Sequence, residues 1–320
     1  IRNFFFRFIV VGIFPIVGFF HTIEAMYGFS PKGVESSFKR YALYNASILE
    51  LQYDPKNNHE PIQATSSYKK SCIITFLKEI LITGSYMSLF APSRYEPFEC
   101  DVNGNRPGLN LSDCLNWNLS RNSIVSALLF QLMLSVFTRA FGVIVAIIFN
   151  VQSTTAMNNP MMTTTSPSDF WGKKWNTIVH GALKRGMFKP VYKTSSNKVL
   201  AIIATFVASG LFHENIIRGV YAAHLPLRED GDDLDHEELW RPAYGKQTMF
   251  MMWNGMFIVL EYFVGSALIF QWMKRNLPAP LVTALVISMA LPVAHWFTHP
   301  YMKTDFFQHS HIAFPMIKVL

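Results

Sequence analysis

The chain has 320 residues, half of them hydrophobic, 28 of them Phe, and only 15% charged. That balance argues against a soluble charged domain, and the net charge of +7 comes without any concentrated basic domain of the kind nucleic acid requires. The sequence contains no internal repeat, Gly-rich phosphate loop or Cys/His metal cluster.

Apolar runs at 4–23, 72–91, 124–149, 199–223, 247–273 and 279–301 are long enough to cross a bilayer as helices, which need about 20 residues each. Lipid cannot satisfy backbone polar groups, so spanning segments are helical. The fold class expected is therefore all-α, a polytopic transmembrane helical bundle. The run after Arg7 lacks a small-residue cleavage site and reads as a span rather than a signal peptide. A start at Ile1 and an apolar end at Val319-Leu320 lead us to expect a longer parent chain.

Loops 24–71, 150–198 and 274–278 hold the larger share of the Lys and Arg residues, so they are expected to face the cytoplasm. The opposite loop, 92–123, holds Cys100, Cys114 and the glycan acceptors Asn110-Leu111-Ser112 and Asn118-Leu119-Ser120, as suits an oxidising lumen. Cys100 and Cys114 fit either a disulfide or two free thiols, and Asn45-Ala46-Ser47 repeats the acceptor pattern on the side read as cytoplasmic. The acidic stretch 229–238 reads as a solvated luminal loop.

After the turn-prone stretch 153–168 comes Ser168-Asp169-Phe170-Trp171-Gly172-Lys173-Lys174-Trp175-Asn176. Trp171, Trp175, Ile178, Val179, Ala182 and Leu183 recur at helical spacing, with Lys173, Lys174, Thr177, Lys184 and Arg185 largely opposite. This predicts an amphipathic helix over 169–190 lying in the membrane interface, tryptophans at headgroup level and basic residues in water or against lipid phosphates.

The run 199–223 carries Ser209-Gly210-Leu211-Phe212-His213-Glu214-Asn215 and Arg218 inside apolar sequence. Polar groups at that depth are costly unless they face protein or a water-filled cavity, so they mark a candidate site around His213. Glu214 points about 100° away from His213 around the helix and reads as a structural partner of Arg218 at i+4. A zinc-protease pattern beginning at His213-Glu214 fails, because position 217 is Ile.

The Phe170–Asn176 segment followed by His213 resembles the paired signature of the membrane-bound O-acyltransferases, in particular the wax synthase branch. In that family an aromatic-rich segment ending in Trp-Asn or Trp-His precedes a membrane helix with the catalytic histidine. The resemblance runs from about 166 to 261 and more weakly to 300, while 1–150 matches only in hydropathy. It divides the chain into N-terminal membrane helices, 1–150, and an acyltransferase-like region, 151–320.

The resemblance implies an enzyme moving a fatty acyl group from acyl-CoA to the hydroxyl of a lipid alcohol, giving a wax ester, sterol ester or triacylglycerol. An alcohol attacking a thioester needs a neutral base beside it, a role that falls to His213, and a donor for the developing oxyanion, a role open to Asn176. An ordinary helix-edge hydrogen bond is the other reading of Asn176. Trp171, Lys173, Lys174, Trp175, Lys184 and Arg185 become candidate substrate contacts, the basic four for CoA phosphates; headgroup anchoring explains the same charges. Ser209 lies one turn from His213 but in no nucleophile elbow, which favours direct transfer.

Glu261 aligns with an acidic position of the wax synthase pattern and reads as a structural carboxylate pairing with Arg139 or Arg218. Where wax synthases often show His-Gly, this chain has Asn254-Gly255, a departure from the pattern. No cofactor beyond acyl-CoA as co-substrate is expected, and no metal: His295, His299, His309 and His311 are scattered without partner cysteines. Expected partners are membrane lipids, acyl-CoA and the alcohol acceptor, with a homo-oligomer or larger membrane complex left open. The expected location is the endoplasmic reticulum. A non-catalytic subunit that keeps the fold is the rival reading, and a transporter finds little support without repeats or paired broken helices.

Overall fold

The computed structural model describes residues 14–46, 49–57, 59–90, 116–224, 244–267, 271–273 and 276–303. The Cys100–Cys114 pair, Asn110, the acidic stretch 229–238, His309 and His311 lie outside them. In chain order the helices are α1 (Phe14–Met26), α2 (Phe38–Ala46), α3 (Ser66–Phe90), α4 (Trp117–Ile148), α5 (Pro160–Thr163), α6 (Thr177–Leu183), α7 (Lys189–Ser195), α8 (Lys198–His224), α9 (Lys246–Val264) and α10 (Ala279–Lys303). A two-residue antiparallel pair, β1 (Tyr53–Asp54) with β2 (Glu60–Pro61), is the one sheet among the described residues. The chain is an all-α membrane protein.

Among the described residues three helices are long and apolar enough to cross a membrane: Leu119–Ile148 of α4, Lys198–Tyr221 of α8 and Ala279–Tyr301 of α10. The expected span at 72–91 lies in α3, which carries Lys78 and Glu79; Glu79 Oε1 takes Arg139 Nε at 3.3 Å. The expected span at 247–273 stops early, because α9 ends at Val264 and turns at Gly265-Ser266. The first expected span is described only from Phe14.

Loops expected on one side of the membrane meet in the structure. Gln52 N donates to Gln152 O at 2.9 Å, Gln152 N to Ile62 O at 2.8 Å and Ala64 N to Asn150 O at 2.9 Å. Deeper in, Arg185 donates through Nε to Glu24 Oε2 and through Nη1 to Glu50 Oε1, each at 2.8 Å, and through Nη2 to Tyr44 Oη at 3.2 Å. Tyr44 in turn donates to Glu24 Oε1. The Glu24 side chain is fully buried, so this network ties α1 and α2 to the start of the 184–195 segment.

The bundle core draws Phe20 from α1, Leu129 and Met133 from α4, Leu183 from α6, and Phe212 and Ile217 from α8; Phe250 and Met251 of α9 pack with Val293 and Ala294 of α10 in a neighbouring cluster. Helices α8 and α9 approach closely where glycine leaves room. A Cβ on Gly210 would collide with Thr248 Cα, and one on Gly255 would stand 2.7 Å from Phe206 Cγ. Helix α10 contains Pro292 and Pro300. Pro300 has no N–H for the carbonyl of Trp296, and the buried Gln247 of α9 supplies one: its Nε2 lies 3.0 Å from both Trp296 O and Phe297 O. That contact fixes α10 against α9 beside the ring of Phe297.

The expected continuous helix over 169–190 is broken. Ser166 Oγ accepts from Asp169 N and opens a short turn at Pro167–Asp169, which widens into a π-type turn over Phe170–Lys174. Trp175 is extended, Asn176 is left-handed at φ 42° and ψ 66°, and α6 starts afresh at Thr177. The break leaves backbone groups without helical partners, and neighbours satisfy them. Asn158 donates through its backbone to Lys174 O and through Nδ2 to Lys173 O, while Thr177 N donates to Ala156 O. Periodicity missed the break because both pieces keep their apolar residues facing inward.

Candidate active site

His213 is held by its own helix: Nδ1 lies 2.7 Å from Ser209 O, four residues back. With Nδ1 donating to that carbonyl, the tautomer is set and Nε2 is the nitrogen left with a lone pair. The imidazole is flanked edge-on by Phe212 and Phe297, each 5.1 Å away between ring centroids.

Asn176 is the N-cap of α6, its Oδ1 accepting from Val179 N at 3.3 Å. The positive φ suits Asn, whose short amide tolerates the left-handed region. With Oδ1 engaged, the Nδ2 donors make no hydrogen bond among the described residues.

His213 and Asn176 line one cavity of about 240 Å³ between α8 and the 168–188 segment. Trp171, Trp175, Lys184 and Ser209 also border it. So does His180, which sequence reasoning passed over. It sits four residues after Asn176 and so on the same face of α6, a spacing that could have flagged it. Burial, together with the nearby Lys184 and Arg185, lowers its imidazole to about 4, so at neutral pH it presents an uncharged ring.

The other sequence candidates separate by position. Trp171 and Trp175 pack on other aromatic rings: Trp171 against Phe206 and Phe250, and Trp175 in a stack on Phe170 at 5.4 Å. Lys184 stands exposed at the cavity edge. Lys173 and Lys174 lie on the widened turn, outside the cavity lining, their side chains making no ion pair or hydrogen bond among the described residues. Arg185 points away into the Glu24–Glu50–Tyr44 network, and those carboxylates raise its already high pKa against the opposing effect of burial.

Both carboxylates of the later helices have partners other than those expected. Glu214 does not pair with Arg218; its Oε1 accepts from Thr248 N at 3.1 Å and Thr248 Oγ1 at 3.4 Å, in the first turn of α9. Arg218 is exposed. Glu261 pairs with neither Arg139 nor Arg218, but takes Ser168 N at 2.8 Å and Ser168 Oγ at 2.9 Å. The reason is common to both: the free N–H groups of a helix start carry partial positive charge and need acceptors. Asn254, seven residues before Glu261 on the same face of α9, accepts from Trp171 Nε1 at 3.3 Å. Helix α9 thus grips the signature segment at two points.

Comparison with known proteins places this region. The family model described as "Membrane bound O-acyl transferase family" matches residues 154–225. An acyl-CoA–sterol O-acyltransferase of Arabidopsis thaliana is 27% identical over 149 residues, 45% of this chain and 37% of that protein. A long-chain-alcohol O-fatty-acyltransferase of Simmondsia chinensis is 23% identical over 179 residues, 53% of this chain and 45% of that protein. A probable long-chain-alcohol O-fatty-acyltransferase of Arabidopsis thaliana is 36% identical over 64 residues, 18% of each. The chain spans less than half the length of these relatives. No solved structure matches it. The region holding Asn176 and His213 carries the membrane bound O-acyl transferase pattern.

Proposed function

We propose that this membrane protein, with the membrane bound O-acyl transferase pattern around its cavity, transfers a fatty acyl group from acyl-CoA to the hydroxyl of a lipid alcohol. One observation carries the reading: a histidine with a free Nε2 and an asparagine with free amide donors line the same cavity. The names of the relatives, which include sterol and long-chain-alcohol acyltransferases, support that substrate class.

In the reaction His213 Nε2 takes the hydroxyl proton as the alcohol oxygen attacks the thioester carbonyl. Asn176 Nδ2 donates to the carbonyl oxygen as it gains negative charge. The tetrahedral intermediate collapses with cleavage of the C–S bond, and the imidazolium returns its proton to the departing CoA sulfur. Ester and free CoA leave. Lys184 at the cavity edge, with Lys173 and Lys174 on the widened turn, attracts the CoA phosphates, and the reaction needs no cofactor beyond acyl-CoA. We place the protein in the endoplasmic reticulum, where such lipids are made.

The test is a microsomal assay with labelled acyl-CoA and a panel of primary alcohols, sterols and diacylglycerols. Wild type should esterify at least one class, and His213→Ala should lose roughly 10²–10⁴-fold. Wild-type turnover in His213→Ala at equal protein level would remove His213 from the chemistry. A wild type inert across the panel would favour a non-catalytic subunit.

A further inference from the structure

The start, middle and end of α6 each bring a polar residue to the cavity of His213. His180 N donates to Asn176 O at 3.0 Å, and Lys184 N donates in turn to His180 O. These consecutive turns set Asn176, His180 and Lys184 on one face, with a rise of about 6 Å from each to the next. All three border the cavity. Asn176 and Lys184 have tasks in the reaction above, at the oxyanion and the CoA phosphates. His180, between them, has none.

The surroundings of His180 restrict what it can do. Its side chain makes no hydrogen bond among the described residues, and neither ring nitrogen is sealed from the cavity. Opposite its Cε1 stands Gly172 of the widened turn, where an added Cβ would lie 3.8 Å away. The uncharged imidazole therefore offers one donor and one acceptor nitrogen with no protein partner. Burial and the nearby Lys184 and Arg185 make it too weak a base to keep the alcohol's proton, and it carries no charge for a phosphate. It suits a neutral group with a donor and an acceptor of its own, and a secondary amide is such a group.

Acyl-CoA carries that group at a matching distance. The first amide of its pantetheine arm follows the thioester carbon by four bonds, about 5 Å when extended, and one turn of α6 rises about 6 Å. With the thioester carbonyl at Asn176 Nδ2, the amide falls at the level of His180. The phosphates lie further along the same arm, toward Lys184, which stands exposed at the cavity edge.

We infer that His180 hydrogen-bonds the first amide of the pantetheine arm and so selects the acyl donor, with Asn176, His180 and Lys184 reading carbonyl, amide and phosphate in turn along one face of α6. The inference rests on the acyl-transfer reading and adds a residue that tells CoA thioesters from other thioesters. His180 touches the substrate away from the reacting carbon, so it is a specificity residue and takes no proton in the chemistry. A donor that lacks the amide leaves the imidazole desolvated and unpaired, and that loss is the source of the selection.

The experiment uses the full chain in liposomes, with one alcohol and three donors of the same acyl chain. They are acyl-CoA, the N-acetylcysteamine thioester, which keeps the amide without the phosphates, and the S-pentyl thioester, which has the same length without the amide. Wild type should favour the N-acetylcysteamine over the S-pentyl thioester about tenfold in kcat/KM. His180→Leu should bring that ratio close to one, and His180→Gln, which again offers a donor and an acceptor, should restore part of it. Lys184→Gln should instead weaken acyl-CoA against the N-acetylcysteamine thioester and keep the amide ratio. Lost folding scales every donor alike and leaves a ratio untouched, so an unchanged ratio in His180→Leu overturns the inference, as does a wild-type ratio near one. In a second arm, equilibrium binding of an S-alkyl-CoA thioether, which cannot transfer, is measured on variants that melt as wild type does. His180→Leu should bind it about tenfold more weakly, and undiminished binding overturns the inference. A wild type that transfers from no donor yet binds the thioether through His180 supports the amide contact while the acyl-transfer reading fails.

Discussion

Asn176 combines two tasks on one amide, and a single substitution separates them. Its Oδ1 caps α6, and its Nδ2 is the donor assigned to the oxyanion. Asn176→Asp keeps the capping oxygen and tolerates the left-handed backbone, but carries no amide donor. It should fold and melt like wild type while kcat falls about 10²–10³-fold, as removal of one oxyanion donor does elsewhere; comparing melting and initial rates checks this. A kcat that falls only in proportion to lost folded protein would leave Asn176 as a cap. The basic residues divide similarly. Lys184→Gln should raise the KM for acyl-CoA and leave that for the alcohol unchanged. Arg185→Gln should instead strand the buried Glu24 carboxylate and destabilise the fold by about 3–5 kcal/mol, read as a lower denaturation midpoint.

At the scale of elements, the contact between α8 and α9 positions His213 against its surroundings. Gly210→Val would drive a side chain into the Thr248 backbone, whereas a Cβ on Gly18 of α1 would meet nothing within 4 Å. Gly210→Val should therefore cost about 1–3 kcal/mol or more and depress turnover, and Gly18→Ala should do neither; thermal melting in detergent measures the contrast. Hydropathy made α4, α8 and α10 legible in the sequence, because length and apolarity are what a bilayer selects. The break at Trp175-Asn176 was not legible. Its acceptors and donors come from Ala156 and Asn158, which no local pattern connects to the motif. For the same reason Glu214 was matched to Arg218: i+4 is the only partner a single helix offers, while Thr248 belongs to the next one.

Across the whole molecule, the site is assembled from α8 and the 168–188 segment, with Ile258 of α9 at its edge. Arg185 ties the segment to α1 and α2, and Glu261 and Asn254 tie it to α9. Residues 52–64 and 150–152, from the two loops expected to face the cytoplasm, are joined by backbone hydrogen bonds, and Asn45 belongs to the first of those loops. Glycan attachment should accordingly occur at Asn110 or Asn118 and not at Asn45, tested by glycosidase-sensitive mass in single-acceptor variants; a glycan on Asn45 would invert the topology. Sequence located His213 and Asn176 through their motif, but not that they share a cavity, because that depends on the segment folding back at the break. The most direct measurement is a stoichiometric one on purified protein in liposomes, counting free CoA thiol and ester together for wild type and His213→Ala. The account predicts one thiol released per ester formed in wild type, and loss of both in a His213→Ala protein that melts as wild type does. Undiminished, coupled release of thiol and ester by His213→Ala would contradict it.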